Sequence, residues 1–170
     1  VTQPTNSLAP EQHSITIAPM GSDADARAFK DLNLEWISAL FTVEPADLAL
    51  LDHPRRIVER GGQVLIARAG DAAVGCVAVV AEGHGLFELS KMAVSPRFQG
   101  RGIGRALVRA ALDHARELGA TSVFLESNAT LVPAVHLYEA LGFVHVPPAE
   151  LRPTPYSRAD VFMRYDFPIA

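Results

Sequence analysis

The sequence predicts an α/β fold, with strands and helices interleaved around one sheet, and three observations carry that prediction. Leu86 to Val94 is a strand-like run that ends in a glycine-spaced basic loop and opens onto an amphipathic helix. Residues 63–68, 73–81 and 86–94 are β-like runs separated by short turns, an antiparallel meander. Near the end of the chain, Val161, Met163, Tyr165 and Phe167 alternate with Arg164 and Asp166, the sign of a half-buried last strand.

Taken in order, residues 1–13, rich in Pro, Gln, Ser and Thr, read as a mobile tail, and residues 14–170 as a single domain without internal repeats. Residues 14–18 suit a short strand. Ser22 or Asp23 caps a helix through Leu32 and Trp36 to about Ala39. A second helical region follows, with Pro45 in its first turn, Leu48 and Leu51 toward the core, and Pro54 limiting or kinking it. Gly61-Gly62 marks its exit, Gly70-Asp71 the first hairpin turn and residues 83–85 the second. After the basic loop, Ile103, Leu107, Val108, Ala111, Leu112, Ala115 and Leu118 share one helical face before Gly119 stops the helix. Residues 121–127 read as a strand ended by Asn128, and another helix follows from about Pro133.

A chain of 170 residues, 49% hydrophobic and 20% charged, is long enough for one sizeable core. Fifteen basic against nineteen acidic side chains disfavour nucleic acid as a partner, while Arg97, Arg101 and Arg105 form a local patch suited to one small polyanion. No apolar run has membrane-spanning length, so no membrane partner is expected. The single cysteine, Cys76, lies in an apolar run and reads as core packing in a reducing cytoplasm. The six histidines lack metal-ligand spacing, and no metal is expected.

The basic loop is the most informative segment. Its glycines let the backbone turn tightly and approach a ligand, and the free amides of the helix start face an anion. A mononucleotide P-loop needs G-x-x-x-x-G-K-[ST], which is absent, and Gly100, Gly102 and Gly104 give G-x-G-x-G rather than the dinucleotide spacing. What remains is Gln99-x-x-Gly102-x-Gly104. It resembles the Q/R-x-x-G-x-G/A signature of the GCN5-related N-acetyltransferase (GNAT) superfamily, and the segment from Pro133 to Phe143 is similar to that family's A-x-x-L-Y-x-x-L-G-F. The element order agrees as well. The resemblance implies a central mixed, mostly antiparallel sheet flanked by helices, with acetyl-coenzyme A as acetyl donor.

Residue by residue, the resemblance implies that Gln99, Gly100, Arg101, Gly102, Ile103, Gly104 and Arg105 wrap the pyrophosphate, while the backbone of Met92, Ala93 and Val94 pairs with pantetheine. Asn128 would stand beside the same arm, or else simply cap its strand. Amine acetylation needs a base, because an alkylammonium of pKa about 10.4 is only about one part in a few thousand neutral at pH 7. Glu88 is the candidate base; alternation puts it on one face with Ser90, Met92 and Val94. Its alternative is a carboxylate paired with Lys91, Lys30 or an arginine. Tyr138 is the candidate acid for the leaving thiolate, its alternative a core aromatic.

These readings give an N-acetyltransferase working by direct attack in a ternary complex; the alternative is a non-catalytic acyl-coenzyme A sensor or scaffold. The acceptor is a small-molecule or protein amine. Glu44, Asp47 and Asp52 could attract its charge, and Trp36, Phe41 and Tyr156 could shape its pocket, though packing explains them equally well. A homodimer is the expected assembly, if the chain assembles at all.

Overall fold

The computed structural model describes residues 13–169, so the tail expected over residues 1–13 lies, except for His13, outside the described residues. The elements are β1 (Ile15–Pro19), α1 (Asp23–Leu40), α2 (Pro45–Leu51), α3 (Pro54–Glu59), β2 (Gln63–Ala69), β3 (Ala72–Gly83), β4 (Leu86–Val94), α4 (Ile103–Glu117), β5 (Ser122–Ser127), α5 (Val132–Ala140), β6 (Val144–His145) and β7 (Val161–Asp166). They build a seven-stranded sheet in the order β1-β2-β3-β4-β5-β7-β6. Every neighbouring pair is antiparallel except β4 with β5. The expected mixed, mostly antiparallel sheet is therefore present. Among the described residues no helix is long and apolar enough to cross a membrane.

Local chemistry sets the helix boundaries. Ser22 caps α1 by accepting a hydrogen bond from the Asp25 amide at 3.1 Å. Pro45 opens α2 behind a reciprocal cap, in which the Asp47 carboxylate accepts from the Glu44 amide at 2.9 Å. The helical region is limited rather than kinked at Pro54: α2 stops at Leu51, and Pro54 starts a separate helix, α3, because a residue with no N–H and a fixed φ suits a first turn. On α2, Leu51 is buried as expected, but Leu48 is exposed: the short helix turns Leu51 and, partly, Leu50 inward.

The sheet carries apolar packing on both faces. On one, Leu107, Val108 and Ala111 of α4 cover Leu65, Val77, Phe87, Leu89, Val123 and Met163. On the other, Phe29 and Ile37 of α1, with Leu51 and Ile57, cover Val64, Ile66, Cys76 and Ala78. Cys76 is a core residue, and burial pushes its thiol up to about 12.

β4 corrects the simple alternation. Between the pairs Cys76↔Ala93 and Ala78↔Ser90, Val77 of β3 faces two residues of β4, Lys91 and Met92. This is a β-bulge, and Lys91 sits at φ 54. Asn33, fully buried on α1, pins it by donating to the Lys91 carbonyl at 3.1 Å. Beyond the bulge the faces exchange. Met92 and Val94 pack with Phe87 and Leu89 on the α4 side, and Ala93 packs on the α1 side. Glu88 and Met92 therefore do not share a face.

Candidate active site

The parallel contact between β4 and β5 consists of three residue pairs and ends at Glu88↔Phe124. Beyond it a cleft of about 790 Å³ opens between the strands, lined by β4 from Glu88 to Val94, by β5 from Leu125 through Asn128, by the start of α4 and by α5. Trp36, Leu40 and Phe41 stand at the end of α1, with Tyr156 and Arg158 beside them. Of the residues assigned to donor binding and catalysis, all but Arg101 line the cleft; its guanidinium lies 4.8 Å from the centre of the Phe98 ring.

At one end of the cleft the loop keeps its backbone donors free. Gly100 and Gly102 take φ of 76 and 77, which only glycine adopts readily, and Gly102 is the N-cap of α4. Among the described residues the amides of positions 100 to 105 make no hydrogen bond, whereas Ala106 donates to Gly102. Such a row of donors at the positive end of a helix holds an anion. Gln99 donates to the Val94 carbonyl at 3.3 Å, tying the loop back to β4.

Tyr138 of α5 is 7% exposed and stacks edge-on against Phe143, with ring centres 5.8 Å apart. Its hydroxyl makes no hydrogen bond among the described residues, and burial pushes the phenol up to about 12. It stays protonated as a donor. Asn128 is otherwise committed: its amide donates to the Arg158 carbonyl at 2.7 Å, and its oxygen accepts from the Thr130 amide and hydroxyl. That geometry favours the cap for its side chain over the contact with pantetheine. His136 is exposed on α5 and does not line the cleft.

Glu88 lines the cleft without an ion-pair partner among the described residues. The partners weighed for it are engaged elsewhere, Lys91 with Asp47 at 2.8 Å and Lys30 with Asp52 at 2.6 Å. Burial pushes the Glu88 carboxyl up to about 7, the charges of Glu126 and Glu82 push the same way, and Lys91 opposes them weakly. A carboxylate near neutrality can take a proton and release it.

Behind Glu88 lies a buried network that the sequence does not announce. The Lys91 ammonium donates to Asp47 at 2.8 Å and to the Tyr156 hydroxyl at 3.0 Å, and Arg158 reaches both Asp47, at 2.6 Å, and Glu44, at 3.2 Å. Asp47 has no exposure at all. Burial pushes its carboxyl up, but the Arg158 and Lys91 hydrogen bonds outweigh that and hold it at about 2. Burial lowers Lys91, a loss that Asp47 partly restores. Glu44 and Asp47 are therefore spent inside the protein, and Asp52 on Lys30, so none is a free ligand for a cationic acceptor. Lys91 is the signal that could have found the network: a buried strand lysine requires a counter-charge. Among the described residues no group of three or more His, Cys, Asp or Glu is placed to hold a metal ion.

A parallel pair that parts into a cleft, with an anion-holding helix start at one end and an uncommitted acid and phenol along it, defines a site for transferring a group from a long anionic carrier. The comparisons narrow that class. The model of the acetyltransferase (GNAT) family matches residues 27–143, and the chain belongs to that family. An uncharacterized N-acetyltransferase of Schizosaccharomyces pombe is 31% identical over 153 residues, covering 87% of this chain and 93% of that protein. A GNAT acetyltransferase structure from Staphylococcus aureus superposes with TM-score 0.81 at 17% identity, over 90% of this chain and 99% of that one. A putative acetyltransferase from Salmonella typhimurium, solved with its cofactor acetyl-CoA, gives TM-score 0.69 at 21% identity, over 89% and 93%.

Proposed function

We propose that this chain is an N-acetyltransferase that moves the acetyl group of acetyl-coenzyme A directly onto a primary amine within a ternary complex. The observation that carries the reading is the cleft itself: free amides from Gly100 to Arg105 at one end, with Glu88 and Tyr138 lining its walls. The acetyl-CoA held by the Salmonella relative supports the choice of donor. In this reading Glu88 takes a proton from the acceptor ammonium, directly or through water. The freed amine attacks the thioester carbon, a C–N bond forms, the nitrogen releases its second proton to solvent, and the C–S bond breaks. Tyr138 gives its proton to the departing sulfur and recovers one from solvent. Backbone donors of β4 past the bulge face the carbonyl oxygen as negative charge builds on it.

The donor assignment is tested at Gly102. A side chain added there meets no protein atom within 4 Å, and Asp tolerates the left-handed backbone better than most residues, so Gly102→Asp is expected to fold. Calorimetry should show coenzyme A affinity reduced about fivefold or more, because two like charges about 4 Å apart cost on the order of 1 kcal/mol even in water. Unchanged affinity in the folded variant overturns the loop assignment.

Tyr138→Phe tests the acid. The hydroxyl holds nothing else in place, so the variant should keep its fold and its coenzyme A affinity while turnover falls about ten- to a thousandfold. A fully active variant whose chemistry is rate-limiting reduces Tyr138 to packing.

A further inference from the structure

Resting on that reading, we infer that Tyr156 is a positioning residue for the proton transfer: its hydroxyl, fixed by the Lys91 ammonium, turns its own proton toward Glu88 and orders the water through which that carboxylate takes the acceptor's proton. Tyr156, Lys91 and Glu88 line the same cleft. In the regular part of β4, Glu88 lies on the face opposite Phe87 and Leu89, which pack under α4, so it faces the α1 and α2 side. On that side the Lys91 ammonium meets Asp47 of α2, and Tyr156 reaches the same space from the segment before β7.

Donor and acceptor roles fix the direction of the hydroxyl. An ammonium can only donate, so in the 3.0 Å contact between Lys91 and Tyr156 the phenol oxygen is the acceptor. Its own proton is left without an acceptor among the described residues. Burial, with the charges of Glu88, Asp47 and Glu126 adding to it and Arg158 opposing, pushes the phenol up, so that proton stays on. Of those three carboxylates, Asp47 is held by Lys91 and Arg158, and Glu126 accepts from the Thr154 hydroxyl. Glu88 accepts no hydrogen bond among the described residues, and its charge acts on the phenol more strongly than that of Asp47 or Glu126. A free donor and a free acceptor thus face one space. No direct hydrogen bond joins them, so the link runs through water.

The ring is fixed from both sides. The Lys91 ammonium lies 4.3 Å and the Arg158 guanidinium 4.9 Å from its centre. The Tyr156 amide donates to the Thr154 hydroxyl at 3.1 Å, and the Ser157 amide to Glu44 at 3.1 Å. Ionised Glu88 is opposed by Glu126 and Glu82 and favoured by Lys91, whose ammonium is already bonded to Asp47 and Tyr156. Tyr156 hands that influence on, because an O–H whose oxygen accepts from an ammonium is a stronger donor. It keeps its proton throughout: the proton that moves passes from the acceptor ammonium to the water, and from the water to Glu88.

The test follows the Glu88 carboxyl by carbon-13 NMR in protein labelled at the glutamate side-chain carboxyls, with Glu88→Gln assigning the resonance. Tyr156→Phe keeps the ring with its two cation contacts and leaves Lys91 its Asp47 partner. Losing a donor to the charged form should raise the Glu88 titration by about one pH unit, the tenfold change in proton affinity that one hydrogen bond to a charged group supplies. Placing 3-fluorotyrosine at position 156 keeps the Lys91 bond and makes the hydroxyl a stronger donor, so the titration should move the other way. That arm decides the matter even if Tyr156→Phe fails to fold. With n-hexylamine as the probe acceptor, the ascending limb of turnover should move in the same directions. A Glu88 that titrates at the wild-type pH or below it in folded Tyr156→Phe, or at the wild-type pH in the fluorinated protein, overturns the inference, since a merely structural tyrosine would leave it there. Coenzyme A binding is measured by calorimetry in the same preparations. Its absence in the wild type would sink the acetyltransferase reading, whereas binding with an unmoved Glu88 sinks only the role of Tyr156.

Discussion

Glu88→Gln is expected to lower turnover about a hundredfold or more near neutral pH, within the usual span for a lost general base, and to remove the ascending limb of the pH profile. In the wild type that limb should rise through about pH 7, where burial and the neighbouring Glu126 and Glu82 have moved the Glu88 carboxyl. The defect should shrink toward pH 10, as the acceptor amine, with pKa about 10.4, supplies its own neutral form. The same substitution has a second signature. Because the folded state raises this carboxyl above its usual 4.5, ionising it costs stability that is intact below that value and progressively lost as pH rises through about 7. Glu88→Gln should therefore melt at a higher temperature than the wild type at pH 8, and at about the same temperature at pH 4. A wild-type rate and profile across pH 6 to 10 would place the base elsewhere.

Asp47→Ala is expected to destabilise the protein by about 3 to 5 kcal/mol, since it leaves the buried Lys91 ammonium without its counter-charge. Chemical denaturation of the ligand-free protein checks this. Replacing both partners, Asp47→Ala with Lys91→Met, should recover much of the loss, because the buried ammonium is gone and Arg158 keeps Glu44 at 3.2 Å. The acid limb follows from the same geometry. Asp47 is held below its usual 3.8, so its contribution is fully present above that value and is lost as pH falls through about 2. An Asp47→Ala variant within about 1 kcal/mol of wild type would show that water or another carboxylate already serves the Lys91 ammonium.

What the sequence disclosed and what it hid divide along physical lines. Local signals read correctly: a cap at Ser22, one of two candidates, Pro45 in a first turn, Gly70-Asp71 as a hairpin, and the glycine-spaced turn that opens α4. Period-two reasoning failed at Met92 and Val94, because a bulge adds one residue to a strand and leaves no mark in the alternation. The network of Lys91, Asp47, Tyr156 and Arg158 stayed hidden because its members come from β4, α2 and the segment before β7, and only the fold makes them neighbours. Glu126 was nearer to hand. Its place at the end of the strand beside β4 puts it next to Glu88, where its charge adds to burial in raising that carboxyl.

The short contact between β4 and β5 has a mechanical consequence. With three residue pairs joining them, β1 through β4 and β5 through β7 form two plates riveted along one short seam, which opens into the cleft beyond Glu88 and Phe124. In the proposed reading, a donor whose amide-bearing arm lies in that cleft would hydrogen-bond the open edge of β4 and bridge the two plates, acting as a keystone as much as a reagent. Resistance to unfolding then depends on the supply of the metabolite, growing with the logarithm of its concentration over its dissociation constant. A cell that runs short of the donor would slow the reaction and loosen the enzyme together.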